Sequence, residues 1–408
     1  MQKITIRCCI AGGGPAGVMA GVLLARAGVD VVVLEKHADF YRDFRGDTIH
    51  PSTLNLMHEL GWLDDFLALP HQKASSIAMN FGDHRMVMAD FKGLALRCPY
   101  IAFMPQWDFL SFLARRGGRY PTFSTKMQAE VTGVIEEAGR VVGLTATTPR
   151  GPLEIRADLV IAADGRSSLV REKAGLAVED FGAPMDVLWF SLPRSAADPD
   201  ETMGSLEAGH MLVAIDRGAQ WQFGYVIPKG TIEQIRRQGL LAFREGIARL
   251  APYVADRIGA LDDWDKIKLL TVQVNRLTRW HKPGLLCIGD AAHAMSPVGG
   301  VGINLAVQDA VAAANILAAP LMARQVTEAD LAQVQRRREF PTKMTQRFQI
   351  AVQNRVLTRV LGGAPLKPPF AFRLIQWLPF LKGLAARLIG VGIRPEHIST
   401  APRWPEKG

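Results

Sequence analysis

Three glycines near the start of the chain have the spacing of a nucleotide-binding turn. Gly12, Gly14 and Gly17 follow an apolar run rich in β-branched residues and open an apolar helix. The first glycine permits a tight turn, the second lets backbone amides approach a pyrophosphate, and the third allows close packing of helix on strand. The helix N-terminus then presents unpaired N–H groups and partial positive charge to an anion. This pattern predicts a dinucleotide phosphate site.

An acidic residue completes the pattern. A second strand over residues 29–34 ends at Glu35, where a carboxylate can accept hydrogen bonds from the ribose hydroxyls of adenosine and would repel a 2′-phosphate. Strand, turn, helix and acid together predict an adenine dinucleotide. They do not separate FAD from NAD.

Two later stretches also end a predicted strand with an acid. Asp164 follows an apolar run over residues 159–163, and Asp290 follows another apolar strand and precedes a glycine loop and a long helix that starts near Gly302. Ligands of α/β sheets bind outside the carboxyl ends of the strands. We expect Asp290 to accept bonds from a sugar or ribityl chain. The helix start would stabilise negative charge on a ring system, including a reduced flavin.

Three motifs in order resemble the single-component FAD-dependent aromatic monooxygenases of the para-hydroxybenzoate hydroxylase family. They are GGGPAG with Glu35, DGRSSLVR, and GDAAHAMSPVGGVGINLAVQDA, and the similarity covers roughly the first 320 residues. The resemblance implies non-covalent FAD, with NAD(P)H as a transient co-substrate. It also implies a flavin C4a-hydroperoxide that hydroxylates or epoxidises an aromatic, quinone-like or polyketide molecule.

The resemblance also implies roles for individual residues. Arg45 and Pro297 would act at the reaction centre, Arg45 and Gln106 would lie beside the flavin and its phosphates, and Asp164 and Arg166 would serve both FAD and the nicotinamide cofactor. The residues expected to bind FAD are Gly12, Gly14, Ala16, Gly17, Glu35, Lys36, Arg45, Gln106, Val131, Asp164, Asp290, Gly302, Ile303 and Asn304. The family's activating tyrosines find no match beyond Tyr253, and its carboxylate-binding arginine finds none, so the expected substrate differs from para-hydroxybenzoate.

The predicted fold is α/β: a GxGxxG Rossmann-like FAD-binding domain, an interleaved antiparallel β-sheet substrate domain and a C-terminal helical tail. The FAD-binding domain is expected in three pieces, residues 1–73, 101–179 and 280–320, with a small β insertion at 74–100. The substrate domain spans 180–279 and the helical region 321–408. The aromatic candidates for the substrate wall are Trp189, Phe190, Trp221, Phe223 and Tyr225, for which core packing is the alternative.

Composition excludes several other classes. The four cysteines, Cys8, Cys9, Cys98 and Cys287, lack CxxC spacing and are expected to be buried thiols, with no metal site. The net charge of +9 lies entirely in the tail, where residues 324–408 hold 15 Lys/Arg against 5 Asp/Glu. No nucleic-acid motif accompanies this charge. The first strand begins almost at the first residue, which predicts a cytoplasmic enzyme.

The basic tail has a repeat of Phe340, Met344, Phe348 and Val352 and a later apolar stretch interrupted by cations and prolines. It is too interrupted to span a bilayer. It is expected to cover the pocket or form a homodimer contact, and the alternative is a peripheral contact with the inner face of the membrane.

Three other functions stay open. A reductase or dehydrogenase of an isoprenoid or other lipophilic substrate would use the same FAD without oxygen. The sequence WQFGYVIP faintly echoes a halogenase stretch, but Phe223 replaces its second tryptophan. A non-catalytic flavin-binding protein would show no turnover.

Overall fold

The computed structural model describes residues 2–41, 48–82, 84–199, 203–207, 209–362 and 370–404. Its first half contains β1 (Gln2–Ala11), α1 (Pro15–Arg26), β2 (Val31–Leu34), β3 (Thr48–Ile49), α2 (Pro51–Glu59), α3 (Leu63–Leu67), β4 (Gln72–Ala74), β5 (Ser76–Phe81), β6 (His84–Asp90), β7 (Ile101–Phe103), α4 (Gln106–Gly117), β8 (Phe123–Lys126), β9 (Glu130–Glu137), β10 (Arg140–Thr148), β11 (Gly151–Ala162) and α5 (Leu169–Lys173).

The second half contains β12 (Val178–Asp180), β13 (Met185–Pro193), β14 (Met203–Glu207), β15 (His210–Asp216), β16 (Gln220–Pro228), α6 (Ile232–Gln238), α7 (Leu240–Leu250), β17 (Lys268–Leu270), β18 (Asn275–Leu277), β19 (His281–Lys282), β20 (Leu285–Cys287), β21 (His293–Ala294), α8 (Gly302–Ala323), α9 (Glu328–Val352), α10 (Thr358–Leu361), α11 (Phe370–Trp377) and α12 (Pro379–Gly390). A π-helical turn, Gln353–Leu357, joins α9 to α10.

A first sheet has the described strand order β19-β20-β11-β1-β2-β8, and β10 and β9 extend it from β11. The contacts of β1 with β2 and β11, of β2 with β8 and of β11 with β20 are parallel. Such strands are buried on both faces, which explains the unbroken apolar runs that end β1 and β11. Helix α1 begins at Pro15, whose fixed φ suits a first helical position, and it packs against α8 and α4.

A second sheet has the described strand order β17-β13-β16-β15-β14-β5-β6. The predicted hairpin near residues 75–91 exists as β5 and β6, and β5 pairs in parallel with β14. The hairpin is therefore the edge of the second sheet and not a separate small insertion. The physical reason is that an isolated two-stranded hairpin is marginally stable, whereas pairing with β14 buries its apolar face.

The four cysteines are free and buried, as predicted. Among the described residues no cluster of His, Cys, Asp and Glu could hold a metal ion. One described helical segment, Val298–Ala323, consists of α8 and the turn before it and is long and apolar enough to cross a bilayer by composition. Of its most apolar window, 72% is buried inside the protein. This burial identifies it as a core helix, since it contacts α1, α9 and β1.

Candidate active site

The three sequence motifs meet at the carboxyl edge of the parallel sheet. Ala11 at the end of β1 pairs with Leu34 of β2 and with Ala162 of β11, and Ala162 pairs with Cys287 of β20. The backbone N–H of Ile288 donates to the carbonyl of Ala162 at 2.9 Å. Residues that follow these four strand ends therefore form one continuous rim, as parallel topology requires.

Close contacts exclude side chains at two glycines of the turn, whereas the third glycine borders open space. Gly12 has φ +103°, and a Cβ on Gly17 would lie 2.0 Å from the carbonyl oxygen of Gly12. The tight turn and the close helix packing thus exclude side chains at both positions. A Cβ on Gly14 would meet no atom within 4 Å. Its lack of a side chain leaves a cradle at the N-terminus of α1 that a phosphate can fill.

Glu35 is fixed beside this turn. Its carboxylate oxygens accept hydrogen bonds from the backbone N–H of Gly13 at 3.1 Å and of His37 at 3.0 Å. The carbonyl of Glu35 accepts from the backbone N–H of Ala129, which precedes β9, so partly buried Val131 lies on the strand that begins next to Glu35. Lys36 is exposed on the same rim. This places Glu35, Lys36 and Val131 at one end of the predicted FAD site.

The second and third motifs are joined by an ion pair. Arg166 Nη2 lies 3.2 Å from Asp290 Oδ2. Asp164 Oδ2 accepts from the backbone N–H of Val170 at 3.1 Å, whereas its Oδ1 is buried without a hydrogen-bond partner among the described residues. Burial raises the pKa of Asp164, against the opposing hydrogen bonds from Ser168 and Val170. An unsatisfied buried oxygen at the ligand-binding edge is expected where a bound group completes the site.

The loop before α8 is braced from β3. Thr48 Oγ1 donates to the carbonyl of Gly300 at 2.6 Å. Asn304 Nδ2 donates to the carbonyl of Thr48, while its Oδ1 accepts from the backbone N–H of His50 and from Thr53 Oγ1. The Asn304 side chain therefore braces the helix start. A contact with a flavin ring at this residue falls to backbone atoms.

The remaining predicted residues lie as follows. Gln106 is the first residue of α4 and is partly buried, Pro297 is partly buried in the loop before α8, and Ala16 and Ile303 are buried. A Cβ on Gly302 would meet no atom within 4 Å, so the first turn of α8 also faces open space. Arg45 falls outside the described residues.

His50 is a buried polar group that carries an unused acceptor. Its Nδ1 lies 2.8 Å from the carbonyl of Ile389 in α12. A carbonyl only accepts, so Nδ1 carries the proton and Nε2 is the acceptor. Nε2 is buried and has no partner among the described residues. Burial lowers the pKa of His50 to about 4, which keeps the ring neutral at ordinary pH.

Sequence reasoning missed a buried ionic network that holds the third motif. Asp309 Oδ2 accepts from the backbone N–H of Gly289 at 3.1 Å and lies 2.6 Å from His293 Nε2, and its Oδ1 accepts from Arg338 Nε at 3.0 Å. Arg338 Nη1 reaches Glu396 Oε1 at 3.3 Å. Burial raises the pKa of Asp309, but His293 and Arg338 outweigh it and the net pKa is lowered. The signal in the sequence was an acid inside an otherwise uncharged apolar helix.

A second missed feature is a row of glutamines on α9 and the turn that follows it. Gln349 Nε2 donates to the carbonyls of Ser296 and Val298, and Gln349 Oε1 accepts from the backbone N–H of Ser296. Gln353 Nε2 donates to Ser296 Oγ. Gln346 Nε2 donates to the carbonyl of Asn275. These amides attach α9 to the loop that carries Pro297, and their helical spacing was visible in the sequence.

The apolar repeat on α9 does not form a buried stripe, since two of its four members lie on the surface. Phe340 and Phe348 are exposed, because the helix turns its glutamines and Arg338 inward to satisfy backbone groups of the loop. Val352 is partly buried and packs below the second sheet.

The second sheet has two different faces. Phe190, Trp221, Phe223 and Tyr225 pack in one cluster with α7 and the turn Pro252–Ala260. The opposite face carries Trp189, and it packs against Val298 of the loop before α8 and Leu357 after α9. We call this face, which packs against the loop before α8, the motif-facing side. That Trp189 lines a substrate wall stays a prediction. The same prediction is wrong for the other four aromatics, because strand alternation turns them to the opposite core.

An arginine that sequence reasoning missed binds a glutamine on the motif-facing side. Arg217 donates from Nε and Nη2 to Gln222 Oε1 at 3.0 and 2.9 Å. Gln222 pairs with Ile215 on β15 and, by alternation with Trp221, points away from the aromatic cluster. Burial lowers the pKa of Arg217 to about 10.

These residues fit FAD. The rim offers an open cradle at two helix N-termini, a carboxylate at the expected ribose position, and an unsatisfied buried oxygen at Asp164. Positive helix ends suit both a pyrophosphate and an electron-rich ring.

Comparisons with known proteins agree with this fit. A family model described as "FAD binding domain" matches residues 5–348. The chain is 30% identical over 384 residues to 6-methylpretetramide 4-monooxygenase of Streptomyces rimosus, covering 93% of this chain and 91% of the relative. It is 27% identical to 12-dehydrotetracycline 5-monooxygenase/anhydrotetracycline 6-monooxygenase of Streptomyces rimosus subsp. rimosus, covering 74% of this chain but only 60% of that longer protein.

Among solved structures, p-nitrophenol 4-monooxygenase of Pseudomonas putida DLL-E4 superimposes with a TM-score of 0.73 at 21% identity, covering 94% of this chain and 98% of that one. This likeness shows a shared fold. Because the family model spans most of the chain and the first relative spans nearly all of it, the chain belongs to the family of single-component FAD-dependent aromatic monooxygenases.

Proposed function

We propose that this FAD-dependent monooxygenase hydroxylates or epoxidises a planar, fused-ring aromatic polyketide of the tetracycline type, with NAD(P)H as reductant. The observation that carries the proposal is the 30% identity, over 93% of the chain, to a protein named as the 4-monooxygenase of 6-methylpretetramide. The broad apolar face of the second sheet supports a substrate of this shape.

When bound, FAD supplies the redox chemistry, taking a hydride from NAD(P)H and activating O2. The residues of the chain bind, orient and exclude water. The first-turn amides of α1 would hold the pyrophosphate, Glu35 the ribose and Asp290 the ribityl chain. The α8 amides at Gly302 and Ile303 would stabilise negative charge on the ring.

Exclusion of water falls to the motif-facing side of the second sheet. Met185, Val187, Val226 and Leu357 are buried there, and Val298 packs against them. A dry wall matters because an activated oxygen species is otherwise lost as hydrogen peroxide. The glutamines of α9 hold this wall and the Pro297 loop together through backbone hydrogen bonds.

The test is the stoichiometry of turnover. The FAD-loaded enzyme is mixed with NADH or NADPH and either anhydrotetracycline or a small phenol, and NAD(P)H and O2 consumption are followed together with product. We expect anhydrotetracycline to stimulate both consumptions, with one O2 used per oxygenated product. Reductant consumption that continues without O2 and yields a reduced product would instead establish a reductase. A flavin that neither nucleotide reduces would establish a non-catalytic binder.

We further propose that α12 contacts an anionic lipid surface. Phe380, Leu384 and Leu388 are exposed at helical spacing on α12, and Trp377, the last residue of α11, is exposed as well. The opposite side of α12 packs on β6 through Ala386. Residues 370–394 contain four Lys/Arg and no Asp/Glu. Apolar side chains flanked by cations favour an anionic bilayer interface. The alternative is that the same exposed side chains form a homodimer contact.

A further inference from the structure

Two buried hydrogen-bond donors lie on the motif-facing side of the second sheet. Trp189 Nε1 and Gln222 Nε2 are both buried, and neither has a partner among the described residues. A buried donor left unpaired is destabilising, because it has lost its hydrogen bonds to water. Native structures rarely leave such groups unsatisfied, so two of them beside a candidate site need an explanation, and a bound ligand is one.

The two donors lie close together on the sheet. In the register of β13 and β16, Trp189 is opposite Gly224 and Ser191 is opposite Gln222. Trp189 and Gln222 are therefore diagonal neighbours on adjacent strands, a relation that spans roughly 7–8 Å between backbones. Gly224 makes room for the indole, because a Cβ there would lie 3.1 Å from the Trp189 ring.

The surroundings specify what can bind. Trp189 packs against the cluster that contains Met185, Val187 and Val226, so the neighbours of the indole are apolar. Both unpaired groups are donors, and they call for acceptors on the ligand. Arg217 binds the carbonyl end of the Gln222 amide through two N–H groups. A cation on that end polarises the amide and strengthens its N–H groups as donors to an electron-rich oxygen.

We propose that Trp189 Nε1 and Gln222 Nε2 bind the oxygen atoms of the substrate, and that they select a planar fused-ring molecule whose edge carries carbonyl or phenolate oxygens. The flat indole supplies the stacking surface and the two N–H groups fix which edge of the ring system enters. This inference rests on the proposed function and names the residues that recognise the substrate of that same site.

Substitutions can remove each donor with little change of shape. Trp189→Phe keeps an aromatic ring and removes the N–H. Gln222→Glu keeps an oxygen for Arg217 and removes the amide donors. Trp280→Phe is the matched control, because Trp280 Nε1 is also buried and unpaired among the described residues but lies in the core of the first domain.

The experiment measures binding of 9,10-anthraquinone and of anthracene, which differ only in two carbonyl oxygens, to the FAD-loaded enzyme. Ligand-induced change in flavin absorbance gives each Kd. We expect the wild type and Trp280→Phe to prefer anthraquinone by at least roughly tenfold, and Trp189→Phe and Gln222→Glu each to lose most of that preference. Affinity for anthracene should stay within about twofold in all four proteins.

Three results would overturn the inference: the same preference in all four proteins, an equal loss for both ligands, or no preference in the wild type. The outcome is separate from the proposed function. A wild type that shows the preference but oxygenates no polyketide would refute the reaction and leave the recognition intact. Oxygenation of the polyketide with unaltered specificity in Trp189→Phe and Gln222→Glu would support the proposed reaction and refute recognition by these two donors.

Discussion

At the scale of single residues, hydrogen bonds from neighbouring groups fix the positions of the residues predicted to bind FAD. Glu35 is aligned by the backbone of Gly13, and Gly289 by Asp309. The sequence predicted Glu35 because a strand-terminal acid after GxGxxG is a local pattern. It could not predict Asp309 as an anchor, because its partners His293 and Arg338 are distant in the chain and close only in the fold.

Glu35→Ala should weaken FAD binding roughly 10- to 100-fold, because loss of charged hydrogen bonds costs about 1.5–3 kcal/mol. Titration of the apoprotein with FAD measures the change. Glu130→Ala removes an equally sized acid from an exposed position on β9 and should bind FAD as the wild type does. Equal affinity in Glu35→Ala and the control would contradict the placement of Glu35 at the ribose.

His50 should make stability depend on pH. Its folded pKa of about 4 lies below the ordinary value of 6.5, so between these values the unfolded state binds a proton that the native state excludes. The stabilisation is complete above pH 6.5 and is lost as pH falls toward 4, by about 3 kcal/mol in total. Urea unfolding at pH 7 and pH 5 measures it.

His50→Asn keeps a donor for the Ile389 carbonyl and removes the titrating ring. The drop in free energy of unfolding between pH 7 and pH 5 should therefore be smaller in this variant than in the wild type. An identical drop in both proteins would show that His50 is not the group responsible.

At the scale of elements, the parallel sheet and its carboxyl edge followed from sequence, whereas the orientation of later elements did not. In β16 every residue between the two ends is buried, so both faces of the strand are covered, and alternation alone did not show which face lies toward the loop before α8. In α9 the apolar repeat contains Phe340 and Phe348, yet both are exposed. The inward side of the helix instead carries glutamines that hydrogen-bond the Pro297 loop. Amide bonding to distant backbone is a tertiary effect that hydrophobic periodicity does not register.

Gln349→Leu should detach α9 from the loop before α8. The substitution leaves the buried N–H of Ser296 and two carbonyls without this partner, at a cost of about 3 kcal/mol in free energy of unfolding. Chemical denaturation measures the loss. Gln333→Leu, on the exposed side of the same helix, should change stability by less than about 0.5 kcal/mol. Equal effects of the two substitutions would show that the buried amide bonds do not hold the helix.

The tail should bind vesicles that contain phosphatidylglycerol and not vesicles of phosphatidylcholine alone. Cosedimentation measures binding, which should fall several-fold in the double variant Phe380→Gln, Leu384→Gln. Leu241→Gln removes an exposed leucine from α7 and should bind as the wild type does. The wild type could instead fail to bind lipid and form a concentration-dependent dimer that the double variant abolishes. That result would assign the exposed apolar side chains of α12 to self-association.

At the scale of the whole molecule, the loop before α8 packs against one face of the second sheet through Val298. The first sheet brings its motifs to one rim, and the second sheet carries, on the face toward that loop, an apolar cluster and two donors without a partner among the described residues. The C-terminal segment completes the assembly through the glutamines of α9, the Arg338 to Glu396 bond and the contact of Ile389 with His50. Truncation within the tail is therefore expected to loosen the FAD site as well as the surface.

The most direct test of the account is the origin of the new oxygen atom. The purified enzyme, loaded with FAD and reduced by NAD(P)H, is given anhydrotetracycline under 18O2, and the product is analysed by mass spectrometry. The account predicts a product in which one oxygen derives from 18O2, with the other atom released as water. A product whose added oxygen comes from water, or a substrate altered without any gain of oxygen, would contradict it.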